Sequence, residues 1–352
     1  MITNKRSNRI IFLDYLRIFA FMSVLIGHKF FAEITSILAM YKNPHITQQY
    51  ISNVAVSLFQ GGGAGVITFF MISGYIILHV IQLEKPIEFL IKRFFRIYPL
   101  LIVAIILENS LGYFTNNQLF DISKILIQMS LFGDYFNTPY ALAGVEWTLR
   151  VEIIFYLFMV IIGWLKMQNN GYLLLAIFVV LTLFLKYIAP FPDKLFVGYF
   201  TIYFPFLFLG SVIYLYEKQK INLVSTLLFV VFLFENYFSM INDFQKGWLT
   251  TNFAIVGFIV FISLWLLREK LENFKFNRLL MKVSALTYSI YLFHNYLWVY
   301  IGKYFYTDNK LIILAILIVF CFMINKFIEN PMNQVGKFLA KKANYKLITR
   351  KI

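Results

Sequence analysis

Residues 10–31 read IIFLDYLRIFAFMSVLIGHKFF, from Ile10 to Phe31. A helix needs about 20 mainly apolar residues to cross a bilayer, and this run supplies them. It also carries Asp14, Arg17 and His28. An ionisable group at membrane depth costs about 3 kcal/mol or more, and a plain anchor has no reason to hold three. On an α-helix the step from Arg17 to His28 ends roughly 20° past three full turns, and Asp14 falls about 60° to the other side of Arg17. The three therefore share one stripe, which must face a protein interior or a polar cavity because lipid would reject it.

The rest of the chain is built from similar runs. It has 352 residues, 60% of them hydrophobic and only 14% charged. A soluble domain needs a far more polar surface, so the composition points to an all-α polytopic membrane protein. Ten spans are expected: 10–31, 54–81, 97–113, 147–164, 172–187, 195–216, 223–240, 248–267, 283–306 and 311–328. The 41 Phe and 23 Tyr suit lipid-facing and interfacial positions. Met1–Arg9 ahead of the first run has the outline of a secretion signal. The run is too long, too charged and lacks a small-x-small site, so it reads as a retained first span.

The formal net charge of +15 would suit a nucleic-acid partner if it were spread evenly. It is not: 22 of the 32 basic residues fall at the two ends or in alternate loops, including Lys85, Lys92, Arg93, Arg96, Lys218, Lys220 and the run from Arg268 to Lys282. That is the bias of cytoplasmic segments, so both termini are expected in the cytoplasm and no nucleic acid is expected. Residues 1–335 are expected to form the transmembrane domain. Residues 336–352 form a basic cytoplasmic tail that touches anionic lipid headgroups. In the long connection 114–146, apolar residues at helical spacing over Ile122–Phe132 predict a short interfacial helix. Cys321 is the single cysteine, so no internal disulfide forms.

Several residues are candidates for chemistry. His28 is the natural general base, since imidazole takes a proton near neutral pH. An interfacial histidine beside Lys29 is the plainer alternative. Eleven residues of helix put Arg17 and His28 about 16 Å apart, so they would hold two ends of one long ligand or line one passage. In GVEWTLRVEIIFYL (residues 144–157), Glu146 and Arg150 are four apart and are expected to pair. Glu152 lacks a charged partner at that spacing. Its carboxylate would orient His28, or else form an interhelical ion pair. Arg93 and Arg96 in IKRFFRIYP (residues 91–99) are three apart, point the same way at the cytoplasmic surface, and with Lys92 suit phosphate. A cluster for lipid headgroups is the alternative. Gly61–Gly63, Gly65, Ser73 and Gly74 permit close helix packing. His294 lies near mid-membrane in the ninth span, where a site role and a structural hydrogen bond are equally open. No metal-ligand set or phosphate-binding loop is present, and no metal is expected.

Six segments in order carry a resemblance. LDYLRIFAFMSVLIGH (13–28) looks like an Arg-x10-His first helix, FFMISGYII (69–77) like an FFxISGF segment, and KRFFRIYP (92–99) like an Arg-x-x-Arg-Ile-x-Pro loop. EWTLRVEIIFYL (146–157) looks like WSLSVEEQFYL, YSIYLFH (288–294) like SYSIYLLH, and FIENPM (327–332) like a closing Glu-Lys-Pro-Phe. Together they resemble the acyltransferase-3 family of membrane acyltransferases. The resemblance implies ten helices and acyl transfer (EC 2.3.1), usually of acetyl from acetyl-CoA as co-substrate. The acceptor would be a hydroxyl of a surface glycan or its lipid-linked precursor, such as O-antigen, capsule or exopolysaccharide, at a bacterial inner membrane. His28 would be the base, Arg17 an essential partner, and Arg93 and Arg96 the holders of the CoA phosphates. Glu152 joins the catalytic set, with Asp14, Ser73, Trp147 and His294 in support. The second glutamate of WSLSVEE is Ile153 here. The appended esterase-like domain of some members has no counterpart, so delivery without a fused partner is expected. The alternatives are a glycan exporter, or a relay of the acyl group to a lipid or a separate extracytoplasmic partner.

Overall fold

The computed structural model describes residues 9–39, 45–116, 119–244 and 252–349. Of the charges used to orient the chain, Lys5, Arg6, Lys42, Lys246, Arg350 and Lys351 lie outside the described residues. Every regular element among the described residues is helical. The first is α1 (Ile11–Lys29), then α2 (Phe31–Ala39) and α3 (Ile46–Phe59). A tight turn at Gln60–Gly62 leads into α4 (Gly63–Ile81), α5 (Pro86–Asn116) and α6 (Ile122–Met129). Next come α7 (Glu146–Trp164), α8 (Gly171–Leu183), α9 (Tyr199–Tyr203), α10 (Pro205–Glu217) and α11 (Leu223–Asp243). They are followed by α12 (Asn252–Leu266), α13 (Arg268–Glu272), α14 (Asn277–Ala285), α15 (Thr287–Phe293) and α16 (Tyr296–Tyr304). The last two are α17 (Lys310–Ile324) and α18 (Asn330–Thr349), joined by a wide turn at Asn325–Glu329.

Side-chain caps start several of these helices, answering bare N–H groups of the first turn. Asp121 accepts from the N–H groups of Ser123 and Lys124 at α6, Asn222 from Ser225 at α11, and Asn309 from Leu311 and Ile312 at α17. The short helix expected within 122–132 forms as α6.

Seven helical stretches among the described residues are long and apolar enough to cross a membrane, against the ten spans expected. The differences have local causes. α12 is apolar but only 15 residues long. The expected span 283–306 is three helices, broken at Leu286 and at the polar pair His294–Asn295. α5 carries Lys92, Arg93 and Arg96 inside a 31-residue helix, where a charged loop ahead of the span was expected.

The chain divides into two compact units. The first comprises Met1–Phe69 and Asn252–Thr287. Its core gathers Phe12, Leu13, Leu16, Ala20, Val24 and Leu25 of α1 with Phe253, Ala254 and Phe261 of α12. Phe12 meets Phe261 edge to face at 6.2 Å. Tyr15 donates to Asn277 Oδ1 at 2.9 Å, tying α1 to α14.

The second unit comprises Phe70–Thr251 and Tyr288–Ile352. α10 is its central element, buried from Pro205 to Leu215. Leaving water drives little association between helices inside lipid, so close packing must hold them. α4 and α10 achieve it with a reciprocal pair of glycines. A Cβ on Gly74 would stand 1.8 Å from the Leu207 carbonyl oxygen, and one on Gly210 would stand 1.9 Å from that of Met71. Ser211 Oγ donates to the Gly74 carbonyl across the same crossing at 2.9 Å. The small residues of this segment therefore pack, as expected. α18 runs without a break through residue 336, with Gly336 against the Phe95 side chain and Ala340 fully buried.

Candidate functional site

In the first unit, the stripe of α1 is organised by Asp14, which is buried. Arg9 binds it through two nitrogens, Nε at 2.6 Å and Nη2 at 2.9 Å. Arg17 Nη1 reaches the same carboxylate at 3.0 Å, one turn along the helix. Ser284 Oγ of α14 donates to it at 2.7 Å. A buried carboxylate demands such compensation, and here it also fixes the direction of Arg17. Two guanidinium groups share one carboxylate, so the cluster keeps an excess of positive charge.

His28 lies at the far end of α1 and is exposed. The turn Gln60–Gly62 holds its ring, which hydrogen-bonds the backbone of Gly61. The turn needs glycine twice, because Gly61 and Gly62 have φ of 59° and 70°, in the left-handed region. α1 must come close for the contact to form. Gly27 allows it, since a Cβ there would lie 2.1 Å from the Phe59 carbonyl oxygen. The glycines of 61–63 thus serve the placement of a histidine as well as packing.

In the second unit, Glu152 is buried. Ser73 Oγ donates to its Oε1 at 2.9 Å, and the Tyr156 hydroxyl donates to the same oxygen. The partner at helical spacing was thus present in the sequence as Tyr156, four residues on. The charges of Arg93 and Arg96 act on the Tyr156–Glu152 pair. The sequence alone places Arg93 and Arg96 at the cytoplasmic surface and gives Glu152 no common level with them. The fold brings them to one level because α5 and α7 lie side by side, with Gly163 against Pro86. Tyr288 and Glu329 belong to the same neighbourhood. Glu329 accepts from Ser289 at 2.6 Å and Asn325 at 2.9 Å. Sequence reasoning missed Tyr156, Ser289 and Glu329 as site residues. Glu329 had a signal, its place in the closing FIENPM segment.

Arg93 is half-buried, lies 5.2 Å from the Phe89 ring centroid, and buries an Nε with no hydrogen-bond partner among the described residues. Lys92 differs: its Nζ binds Glu84 at 2.7 Å and Glu88 at 2.6 Å. Two carboxylates already answer that cation. Trp147 sits among aromatic rings, 4.9 Å from Tyr199, 5.2 Å from Tyr203 and 5.9 Å from Phe70. His294 is buried, and its Nδ1 donates to the Tyr291 carbonyl at 2.8 Å. The Tyr291 hydroxyl in turn pairs with Thr148 Oγ1 at 2.7 Å.

The expected Glu146–Arg150 pair does not form. Arg150 binds Asp134 at 2.8 Å and Asp193 at 2.6 Å, while Glu146 Oε1 accepts the Leu142 N–H at 2.6 Å. Helical spacing makes a pair possible, but two loop carboxylates reach the guanidinium more directly.

A chain of long apolar helices that bury carboxylates, each answered by side-chain donors, is a polytopic membrane protein with polar clusters inside its helical units. The particular family is that of the acyltransferase-3 membrane acyltransferases, to which the chain belongs: the family's acyltransferase domain matches residues 10–325. No curated protein and no solved structure gives a significant match. The protein is a multi-pass membrane acyltransferase.

Proposed function

We propose that the protein transfers an acetyl group from acetyl-CoA to a hydroxyl of a cell-surface glycan or its lipid-linked precursor, in a bacterial inner membrane with both termini in the cytoplasm. The observation that carries this reading is the pair of arginines at the Glu152 cluster, where one buried guanidinium nitrogen has no partner among the described residues. CoA is a long, polyanionic thioester, and guanidinium forks suit its phosphates. Arg93 and Arg96 take that role, and Lys92, held by Glu84 and Glu88, braces the start of their helix. We assign Glu152 to the donor side too, as a positioning residue that sets the arginine pair together with Tyr156 and Ser73.

His28 removes the proton of the acceptor hydroxyl. The oxygen attacks the thioester carbonyl carbon, forming a C–O bond and a tetrahedral oxyanion. Collapse breaks the C–S bond, and the imidazolium returns its proton to the departing CoA thiolate. Arg17, held by Asp14, offsets negative charge on the donor. His294 packs beside Tyr291, and Trp147 braces the aromatic group of Phe70, Tyr199 and Tyr203.

The test is His28→Ala in protein purified into lipid nanodiscs, assayed with acetyl-CoA and candidate glycans. Transfer should fall by about 10²- to 10⁴-fold with donor binding retained. Full transfer would remove His28 from the mechanism. Glycan binding without any turnover of acetyl-CoA by the wild type would make the protein an exporter.

A further inference from the structure

The short helices α13 and α14 of the first unit follow directly on α12, whose end carries the marks of a membrane boundary. Arg268 sets its guanidinium over the Trp265 ring at 4.6 Å and donates to the Trp265 carbonyl at 2.9 Å. Aromatic and basic residues gather where a helix passes from hydrocarbon to headgroups. Beyond that level the chain exposes three large apolar side chains: Phe274 at 51%, Phe276 at 62% and Leu279 at 59%. The two rings lie 5.7 Å apart. Across 268–282, five basic residues stand against two acidic ones, and Lys270, Lys275, Arg278 and Lys282 are exposed.

α14 has two working faces. At about 100° per residue, Asn277, Met281 and Ser284 share one of them. Arg278 and Lys282 lie about 40° apart on another, with Leu279 beyond Lys282. The first face is taken up by the N-terminal segment and α1. Asn277 accepts from the Tyr15 hydroxyl at 2.9 Å, the Met281 carbonyl accepts from Arg9 at 3.2 Å, and Ser284 donates to Asp14 at 2.7 Å. The helix that helps to clamp the Asp14–Arg17 pair thus turns cations and an apolar side chain outward.

The mixture on the outer face decides its partner. A free phosphate would answer the cations and leave the two rings in water. Neutral hydrocarbon would answer the rings and leave the cations bare. An anionic bilayer surface answers both, with the rings at the acyl boundary and the cations among the headgroups. We propose that the 273–276 turn and the outer face of α14 dock on anionic phospholipid headgroups, and that this docking steadies α14 and, through Ser284, the Asp14–Arg17 pair. The docking surface stands on the fold of the first unit; its effect on rate rests on the transfer reaction proposed above.

The experiment compares the full chain in nanodiscs of phosphatidylcholine alone with nanodiscs that also contain phosphatidylglycerol. Backbone amides of 273–282 should exchange hydrogen about tenfold more slowly in the anionic lipid, and added salt should erase the difference. Acyl transfer should rise about fivefold with the same change of lipid. The double variant Arg278→Gln with Lys282→Gln should lose both responses, while its transfer rate in phosphatidylcholine stays that of the wild type. Phe274→Ser with Phe276→Ser should speed exchange of the turn in both lipids. Equal exchange of the wild type in the two lipids, or full lipid responses in the double glutamine variant, would overturn the docking surface. Slower exchange in anionic lipid with an unchanged transfer rate would overturn the link from α14 to Arg17. Lipid-dependent exchange with no transfer in either lipid would remove the acyl-transfer reading and leave the docking surface standing.

Discussion

Arg17 and Arg150 both lie on apolar helices, and their surroundings are inverted. Arg17 shares one buried carboxylate, Asp14, with a second arginine, Arg9. Arg150 alone faces two carboxylates, Asp134 and Asp193. The Arg17 side chain keeps 21% of its surface open, and that of Arg150 keeps 1%. The difference separates a cation left partly open from a cation enclosed by its partners. Asp14 orients Arg17 and leaves positive charge over. Arg150 draws two loops together, and Phe132, Tyr140 and Phe191 rings lie within 5.9 Å of its guanidinium carbon.

The contrast can be broken first at Arg150. Arg150→Ala leaves two buried carboxylates without a counter-charge, and removing one partner of such a group costs about 3–5 kcal/mol. Thermal unfolding in detergent should register this as a large fall in melting temperature, whatever happens to activity. A wild-type melting curve would mean that the loops do not depend on the guanidinium.

Arg17→Ala should do the reverse. The fold survives, because Arg9 and Ser284 still compensate Asp14, while acyl transfer falls by about 100-fold, or roughly 2.7 kcal/mol of barrier. Arg17→Lys should recover only part of it, since an ammonium cannot reproduce the planar fork. Equal stability loss in Arg17→Ala and Arg150→Ala would erase the distinction drawn between them.

Ser284→Ala removes one hydrogen bond to a buried charge and should cost about 1–2 kcal/mol of stability. Its activity loss should be smaller than that of Arg17→Ala, because Asp14 still binds Arg17 directly. A larger loss would mean that α14 positions the arginine more than Asp14 does.

A pH dependence is expected at Asp193. Burial pushes its carboxyl up to about 6, against the pull of the Phe200 N–H and the Arg150 charge. A folded-state value above the unfolded one means that the folded state binds the extra proton. Asp193 therefore adds most to stability below about pH 4, and that contribution is lost as pH rises through 6. Asp193→Asn should flatten this slope in melting temperature between pH 4 and 7. An unchanged slope would assign the pH dependence to another group.

Some of this site was legible in the sequence and some was not, for reasons visible in particular residues. The 3.6-residue period put Asp14, Arg17 and His28 on one stripe, and the Asp14–Arg17 bridge follows from their spacing of three. The same reasoning paired Glu146 with Arg150 and failed, because Asp134 and Asp193 come from loops that local spacing does not see. The same period sets Tyr156 one turn beyond Glu152, where a hydroxyl satisfies the carboxylate as a charged partner would. Local spacing set Arg93 and Arg96 at a different depth from Glu152, because a depth counted along each helix ignores how neighbouring helices slide past each other.

By itself the sequence determined that this is a helical, multi-pass membrane protein, which segments carry its unusual charges, and to which family it belongs. Those follow from composition, from hydropathy along the chain and from motif order, all of them local properties. The tertiary structure alone decided which carboxylate answers which arginine. It decided that the Gly61–Gly62 turn holds His28, and that α4 and α10 meet through Gly74 and Gly210. The physical reason is distance along the chain: Ser284 reaches Asp14 across 270 residues, and no local period encodes that contact.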